Sequence, residues 1–142
     1  MPKIIKSGFS QDERGRVVFC NDFDFKGIKR FYMLENASQE VIRAFHGHLK
    51  EEKYMSVISG KAIICVAPLS KTGDPDKEKE VHKFVLSAEN PEILHVPGGF
   101  ANGFKALEDK TKVIVFSTSS LEDSKKDNYN LPHDCWGKEI WN

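Results

Sequence analysis

No run of apolar residues in this sequence approaches the roughly 20 that a membrane-crossing helix needs. The start, Met1-Pro2-Lys3-Ile4-Ile5-Lys6-Ser7, lacks an apolar core of signal-peptide length. Cysteine is scarce. Cys20, Cys65 and Cys135 are odd in number, widely spaced and free of any C-x-x-C pattern. That argues against a disulfide frame and against a zinc knuckle. Net charge is also missing, because 21 Lys and Arg balance 21 Asp and Glu. No whole-molecule field therefore draws the chain to nucleic acid or to an anionic membrane, and any pull on an anionic ligand must be local. Sustained 3.6-residue periodicity, internal repeats, linkers and low-complexity blocks are absent as well. The cytoplasm is the expected location.

What is present is short β-like segments in a chain of 142 residues, long enough for one domain with a real core. Strands are expected at 16–19, 29–34, 41–48, 53–59, 61–68, 81–86, 92–96, 104–107 and 111–118. Turn signals separate them roughly every 8–12 residues, the rhythm of an all-β sandwich or barrel. The expectation is a single-domain jelly-roll barrel over residues 1–142. Residues 7–15 read as a polar turn and 97–103 as a Gly-rich corner. The tail, 121–142, reads as polar and partly irregular, with Trp136 and Trp141 docking it onto the barrel or onto a second subunit. Cys65, in an apolar run, reads as a small buried residue. The ten Phe are expected mostly in the core.

The unusual stretch is Val41 to Gly60. It sets Arg43, His46, His48, Lys50, Glu52 and Lys53 into segments that otherwise read as strands. Core strands do not carry so many ionisable groups unless their polar face lines a pocket, because unpaired burial is costly. Alternation places His46 and His48 on one face. Three readings follow from the residues alone. The two histidines with Glu52 form His-x-His-x3-Glu, a metal-binding pattern able to hold iron or zinc. They are solvated strand residues. Or, with the nearby lysines and arginine, they form a pocket for an anionic ligand, the reading preferred here.

Longer motifs add a resemblance. Arg43-Ala44-Phe45-His46, Lys53 seven residues before Gly60, and Pro97-Gly98-Gly99-Phe100-Ala101-Asn102-Gly103-Phe104 resemble the signature of the dTDP-4-dehydrorhamnose 3,5-epimerases, which are metal-free RmlC-like cupins. Asp12-Glu13-Arg14-Gly15 matches their Asp-x-Arg-Gly. His46-Gly47-His48 with Lys50 equally resembles the His-x-His-Lys of the related dTDP-4-keto-6-deoxyhexose 3,4-ketoisomerases. The resemblance implies a cupin jelly roll, a dTDP-linked sugar substrate, no cofactor, no metal, and a homodimer with exchanged N-terminal strands. It implies His46 as the base that removes a proton next to the C4 ketone, in a water-poor cavity. His48 would serve as its acid–base partner and Lys53 would stabilise the enolate. Arg14 and Arg43 would hold the diphosphate, with Asn102 and Tyr32 as further substrate-binding residues.

The chain departs from the epimerase pattern at three places. The proton-donor Tyr aligns with Phe116, which has no proton to give. The third His is Asn102, still a hydrogen-bond donor but without charge. The C-terminal Asp that orients the base has no clear counterpart, Asp134 being the nearest. A one-centre epimerisation, or a 3,4-keto shift using both histidines, asks less of such a site than double epimerisation. Tyr32 and Tyr54 are replacement acids to consider. Phe9 and Phe19, near Arg14, are candidates to stack on the base of the nucleotide, against a core role. The rivals from other classes are a metal-dependent cupin and a non-catalytic sugar-binding cupin. His82 and His133 stand alone and carry no expected role.

Overall fold

The computed structural model describes residues 1–142. In chain order the strands are β1 (Lys3–Lys6), β2 (Gly8–Asp12), β3 (Gly15–Phe19), β4 (Arg30–Leu34), β5 (Ile42–His48), β6 (Lys53–Ser59), β7 (Lys61–Pro68), β8 (His82–Ser87), β9 (Glu92–Val96), β10 (Phe100–Ala106), β11 (Lys112–Ser117) and β12 (Tyr129–Asn130). One helix, α1 (Leu121–Lys126), lies between β11 and β12, and a 3-10 turn spans Glu139–Trp141. Two antiparallel five-stranded sheets, ordered β1-β9-β6-β11-β4 and β12-β5-β10-β7-β8, face each other. This is the jelly-roll sandwich of a cupin. No helix is long and apolar enough to cross a membrane.

Alternation decides what fills the sandwich. Met55 and Val57 of β6, Val113 and Val115 of β11, and Ile64 and Val66 of β7 point between the sheets and are buried. The other face of β7 is buried too. Ile63, Cys65 and Ala67 join Phe45, Leu69, Ala101 and Trp141 in a second core. A strand covered on both faces needs an unbroken apolar sequence, which is why Ala62–Ala67 shows no alternation. The covering layer is the tail: Trp136 and Trp141 pack on Phe45 with ring centroids 4.9 and 5.5 Å away. The tail therefore docks on its own barrel.

Three expectations are corrected. Residues 7–15 are not simply a turn: β2 and β3 pair from Gly8↔Phe19 to Asp12↔Gly15 as a separate hairpin. Its polar sequence hid it, because its residues are largely exposed on both faces. The corner at 97–103 is shorter than expected, since Phe100 to Gly103 already belong to β10. The tail is ordered. Ser120 caps α1 by accepting from Asp123 N–H, with Glu122 and Asp123 in the first turn. Six residues are too few to show a periodic signal.

One irregularity sets up the site. Asn102 pairs with His46 while Phe104 pairs with Arg43, so Ala44 and Phe45 together oppose Gly103 in a β-bulge. Strict alternation would send Arg43 and His46 to opposite faces. The bulge brings both to one cavity. Gly103 is there because a Cβ would lie 2.8 Å from both Ala44 Cα and the Arg43 carbonyl oxygen. Gly103→Ala should lower stability by about 1–3 kcal/mol, the usual cost of overpacking, measured by urea denaturation.

Candidate active site

A cavity of about 320 Å³ opens between the sheets at one end of the sandwich. β5 contributes Arg43, His46 and His48, β6 contributes Lys53, β10 contributes Asn102, and β4 contributes Arg30 and Tyr32. The remaining wall comes from the tail, through Ser124, Lys125 and Asn128. Six of the seven residues singled out in the sequence thus share one cavity. Arg14 is the exception. It sits at the tip of the β2–β3 hairpin, 84% exposed, with its guanidinium 2.7 Å from Asp12. Within one chain it does not line the cavity, because the hairpin is a sheet of its own.

His46 is held from behind. Its Nδ1 lies 3.1 Å from Asn130 Oδ1 in β12. With that oxygen as acceptor Nδ1 carries the proton, which leaves Nε2 as the basic atom. Partial desolvation, and then the charges of Lys53 and Arg43, hold its pKa below the usual histidine value against the opposing hydrogen bond. The ring is therefore neutral at pH 7 and able to accept a proton. It is exposed at the cavity mouth, so the water-poor setting expected of it is not present in the single chain.

His48 is buried, and its Nδ1 bonds the Asp127 carbonyl oxygen. Burial and the neighbouring Lys53 lower its pKa, while Glu51 and Asp127 oppose them. Lys53 is almost wholly buried. Its Nζ donates to Asn102 Oδ1 at 3.3 Å and lies 3.7 Å from Glu51 Oε2. Desolvation pulls its pKa down, and Glu51 resists. Arg43 donates from Nε to Asn36 Oδ1 at 3.0 Å, and the residue remains exposed. Tyr32 packs under the Arg30 guanidinium, 4.9 Å from the ring centroid. Burial, then Glu51, push its phenol up to about 12, so it stays protonated.

Four residues that the sequence reading passed over matter here: Arg30, Glu51, Asp127 and Asn130. Asp127 accepts the backbone N–H groups of Leu49, Lys50 and Glu51 at 2.8, 2.9 and 2.9 Å. Burial raises its pKa, but these three donors outweigh burial and leave it lowered. Asp127 thus ties the tail to the turn that carries Glu51. The tail residue bonded to His46 is Asn130, not Asp134.

Four further expectations change. Glu52 does not join the histidines, because its Oε1 is 2.6 Å from His95 Nε2. The tight turn at Leu49–Glu52 puts Glu51, not Glu52, on the cavity side. No three His, Cys, Asp or Glu side chains converge in a metal-binding arrangement. Phe116 does not line the cavity. It pairs in register with Tyr54 and packs on Phe23, Phe25 and Phe31 on the outer face, while Ser117 faces inward. Tyr54 is likewise outside, stacked on His95 at 4.6 Å. The Phe residues are less internal than expected: Phe45 and Phe104 are buried, whereas Phe9, Phe19, Phe25 and Phe31 are exposed.

A family model described as dTDP-4-dehydrorhamnose 3,5-epimerase matches residues 3–134. The chain belongs to this family. It is 28% identical over 141 residues to the probable low-salt glycan biosynthesis epimerase Agl13 of Haloferax volcanii, covering 91% of this chain and 88% of that protein. Its fold is similar to the dTDP-4-dehydrorhamnose 3,5-epimerase of Bacillus anthracis, solved with TDP and PPi bound, at TM-score 0.78 and 22% identity, covering 98% and 82% of the two chains. Its fold is also similar to a 3,4-ketoisomerase from Helicobacter canadensis, at TM-score 0.70 and 15% identity, covering 99% and 98%. In this epimerase-family chain, an amide rather than a carboxylate backs the His46 imidazole.

Replacing that amide by a carboxylate should favour the charged ring. In Asn130→Asp the His46 pKa should rise by about 1 unit or more, read by NMR titration of the imidazole. An unchanged His46 titration would show that the two side chains do not interact in solution.

Proposed function

We propose that the cavity binds a dTDP-linked 4-keto-6-deoxyhexose and that His46 removes a proton from the carbon beside the C4 ketone. The observation that carries this reading is the His46–Asn130 pair, which holds a neutral imidazole with a free basic nitrogen in a cavity that also contains the Lys53 ammonium. A neutral imidazole able to take up a proton suits carbon-acid chemistry. Lys53, buried and already positioned, stabilises the negative charge that develops on the C4 oxygen. Arg43 holds the diphosphate, its planar guanidinium matching phosphate oxygens. Asn102 and Tyr32 supply hydrogen-bond donors to the sugar. No cofactor is required. The protein works as one cytoplasmic cupin domain in deoxysugar and polysaccharide synthesis.

Two products are open to such a base, an epimer and a 3,4-keto isomer. The second is favoured by a specific observation. His46 and His48 rise from one face of one strand and so meet the sugar from the same side. Moving a proton between neighbouring atoms on one side suits them; inversion needs a donor on the opposite side. Incubation with dTDP-4-keto-6-deoxyglucose in deuterium oxide should place label at C4 of a 3-keto product. His46→Ala should slow labelling by about 10²–10⁴-fold, the usual contribution of a general base. Substrate bound by the native protein without any label would favour a sugar-binding protein instead.

The active unit is a homodimer. The outer face of the first sheet presents Phe31 (64% exposed), Phe25, Met33 and Ile58, and the β2–β3 hairpin presents Val17, Val18 and Phe19. A contiguous apolar face of this kind marks an interface. A second copy would cover it, with the hairpin exchanged so that Arg14 reaches the partner's diphosphate. Analytical ultracentrifugation should give a dimer at micromolar concentration, and Phe31→Glu should shift it to monomer. A native monomer would sink this assembly.

A further inference from the structure

Glu51 has no role in the site described so far. Its side chain is fully buried and lines the cavity, and its Oε2 makes no hydrogen bond. It nonetheless stands among positive groups. Oε1 is 3.5 Å from the Arg30 guanidinium, while Oε2 is 3.4 Å from His48 Nε2 and 3.7 Å from Lys53 Nζ. A carboxyl in such a place is costly to bury unless its charge is used. Its position is also enforced, because Asp127 grips the backbone N–H of Glu51 and of the two residues before it.

We propose that Glu51 is the positioning residue that makes His48 the proton donor of the reaction. The two ring nitrogens of His48 are held differently. Nδ1–H is bound firmly by the Asp127 carbonyl, which anchors the ring. Nε2 faces Glu51 across 3.4 Å, longer than a good hydrogen bond. Burial and Lys53 disfavour this second ring proton and the Glu51 carboxylate opposes them, so the charged ring can form and gives up its Nε2 proton readily to substrate.

This inference rests on His46 as the carbon-acid base. His46 Nε2 takes the C3 proton; the electrons of that bond form C3=C4, and those of the C4 carbonyl move to oxygen. That oxygen takes the Nε2 proton of His48, giving an enediol, a charged His46 and a neutral His48. In the return step His48 takes the proton from the C3 hydroxyl as C3=O forms, and His46 gives its proton to C4. Both histidines end as they began, and nothing is oxidised overall. The groups facing His48 from other elements are Lys53 of β6, Glu51 of the turn before it, and Asp127 and Lys125 of the tail. Arg30 and Tyr32 of β4 reach it through Glu51, while Arg43 and His46 share its strand. Of these, Glu51 is the acid nearest to Nε2.

Glu51→Gln keeps the shape and removes the charge. Imidazole NMR titration, which needs no substrate, should show the His48 pKa lower by about 1 unit or more. In assays with dTDP-4-keto-6-deoxyglucose, the alkaline limb of kcat/KM should move to lower pH, and kcat at pH 7.5 should fall about 10-fold or more, with KM within threefold. Glu51→Asp should restore much of both. If Glu51→Gln fails to fold, Glu51→Asp is read alone and should shift both quantities the same way by less. A native enzyme that turns over the sugar, with an unmoved His48 titration and an unmoved alkaline limb in the variant, overturns the role of Glu51. No turnover by the native enzyme, together with a shifted His48 titration, overturns the substrate reading and leaves the Glu51–His48 coupling intact.

Discussion

The carboxylate of Asp127 collects three consecutive backbone N–H groups from the turn between β5 and β6. Charge-assisted bonds of this kind are stronger than neutral ones. They fasten the end of α1 to the two strands that carry His46, His48 and Lys53. The same residue's carbonyl fixes the His48 ring, and Asn130, three residues on, backs His46. The geometry of both imidazoles therefore depends on how the tail is seated. The tail is seated in turn by Trp136 and Trp141 against Phe45, the residue next to His46.

Around that anchor the site is an arrangement of positive groups with one acid among them. Arg30, Arg43 and Lys53 provide local attraction for an anionic ligand in a chain whose net charge is +0. Burial of His48 and Lys53, and partial desolvation of His46, keep these groups from being over-stabilised in their charged forms. Each group is thus left able to change its protonation state, or to meet a developing charge, without a large reorganisation.

Much of this was legible in the sequence. Short alternating segments and turn residues give the β-sandwich, and charged residues inside strand-like runs mark the cavity wall. The residues that escaped did so for physical reasons. Arg30 stands at the first position of a strand whose pattern looks like ordinary core. Glu51 and Glu52 are adjacent, and only the turn geometry decides which of them faces inward. Asp127 and Asn130 sit in a polar tail with no periodic signal, and their partners lie about 80 residues earlier. Phe116 faces outward and its neighbour Ser117 inward, a distinction that only the pleat of the strand decides.

The bulge opposite Gly103 ties together two segments far apart in the chain. The spacing from Arg43 to His46 makes sense only with an extra residue in that strand. The extra residue fits only where the facing strand has no side chain. The two motifs are thus halves of one heritable part. Drift in either half would be tolerated only alongside a matching change in the other, so a descendant that re-aims Arg43 must revise both strands together.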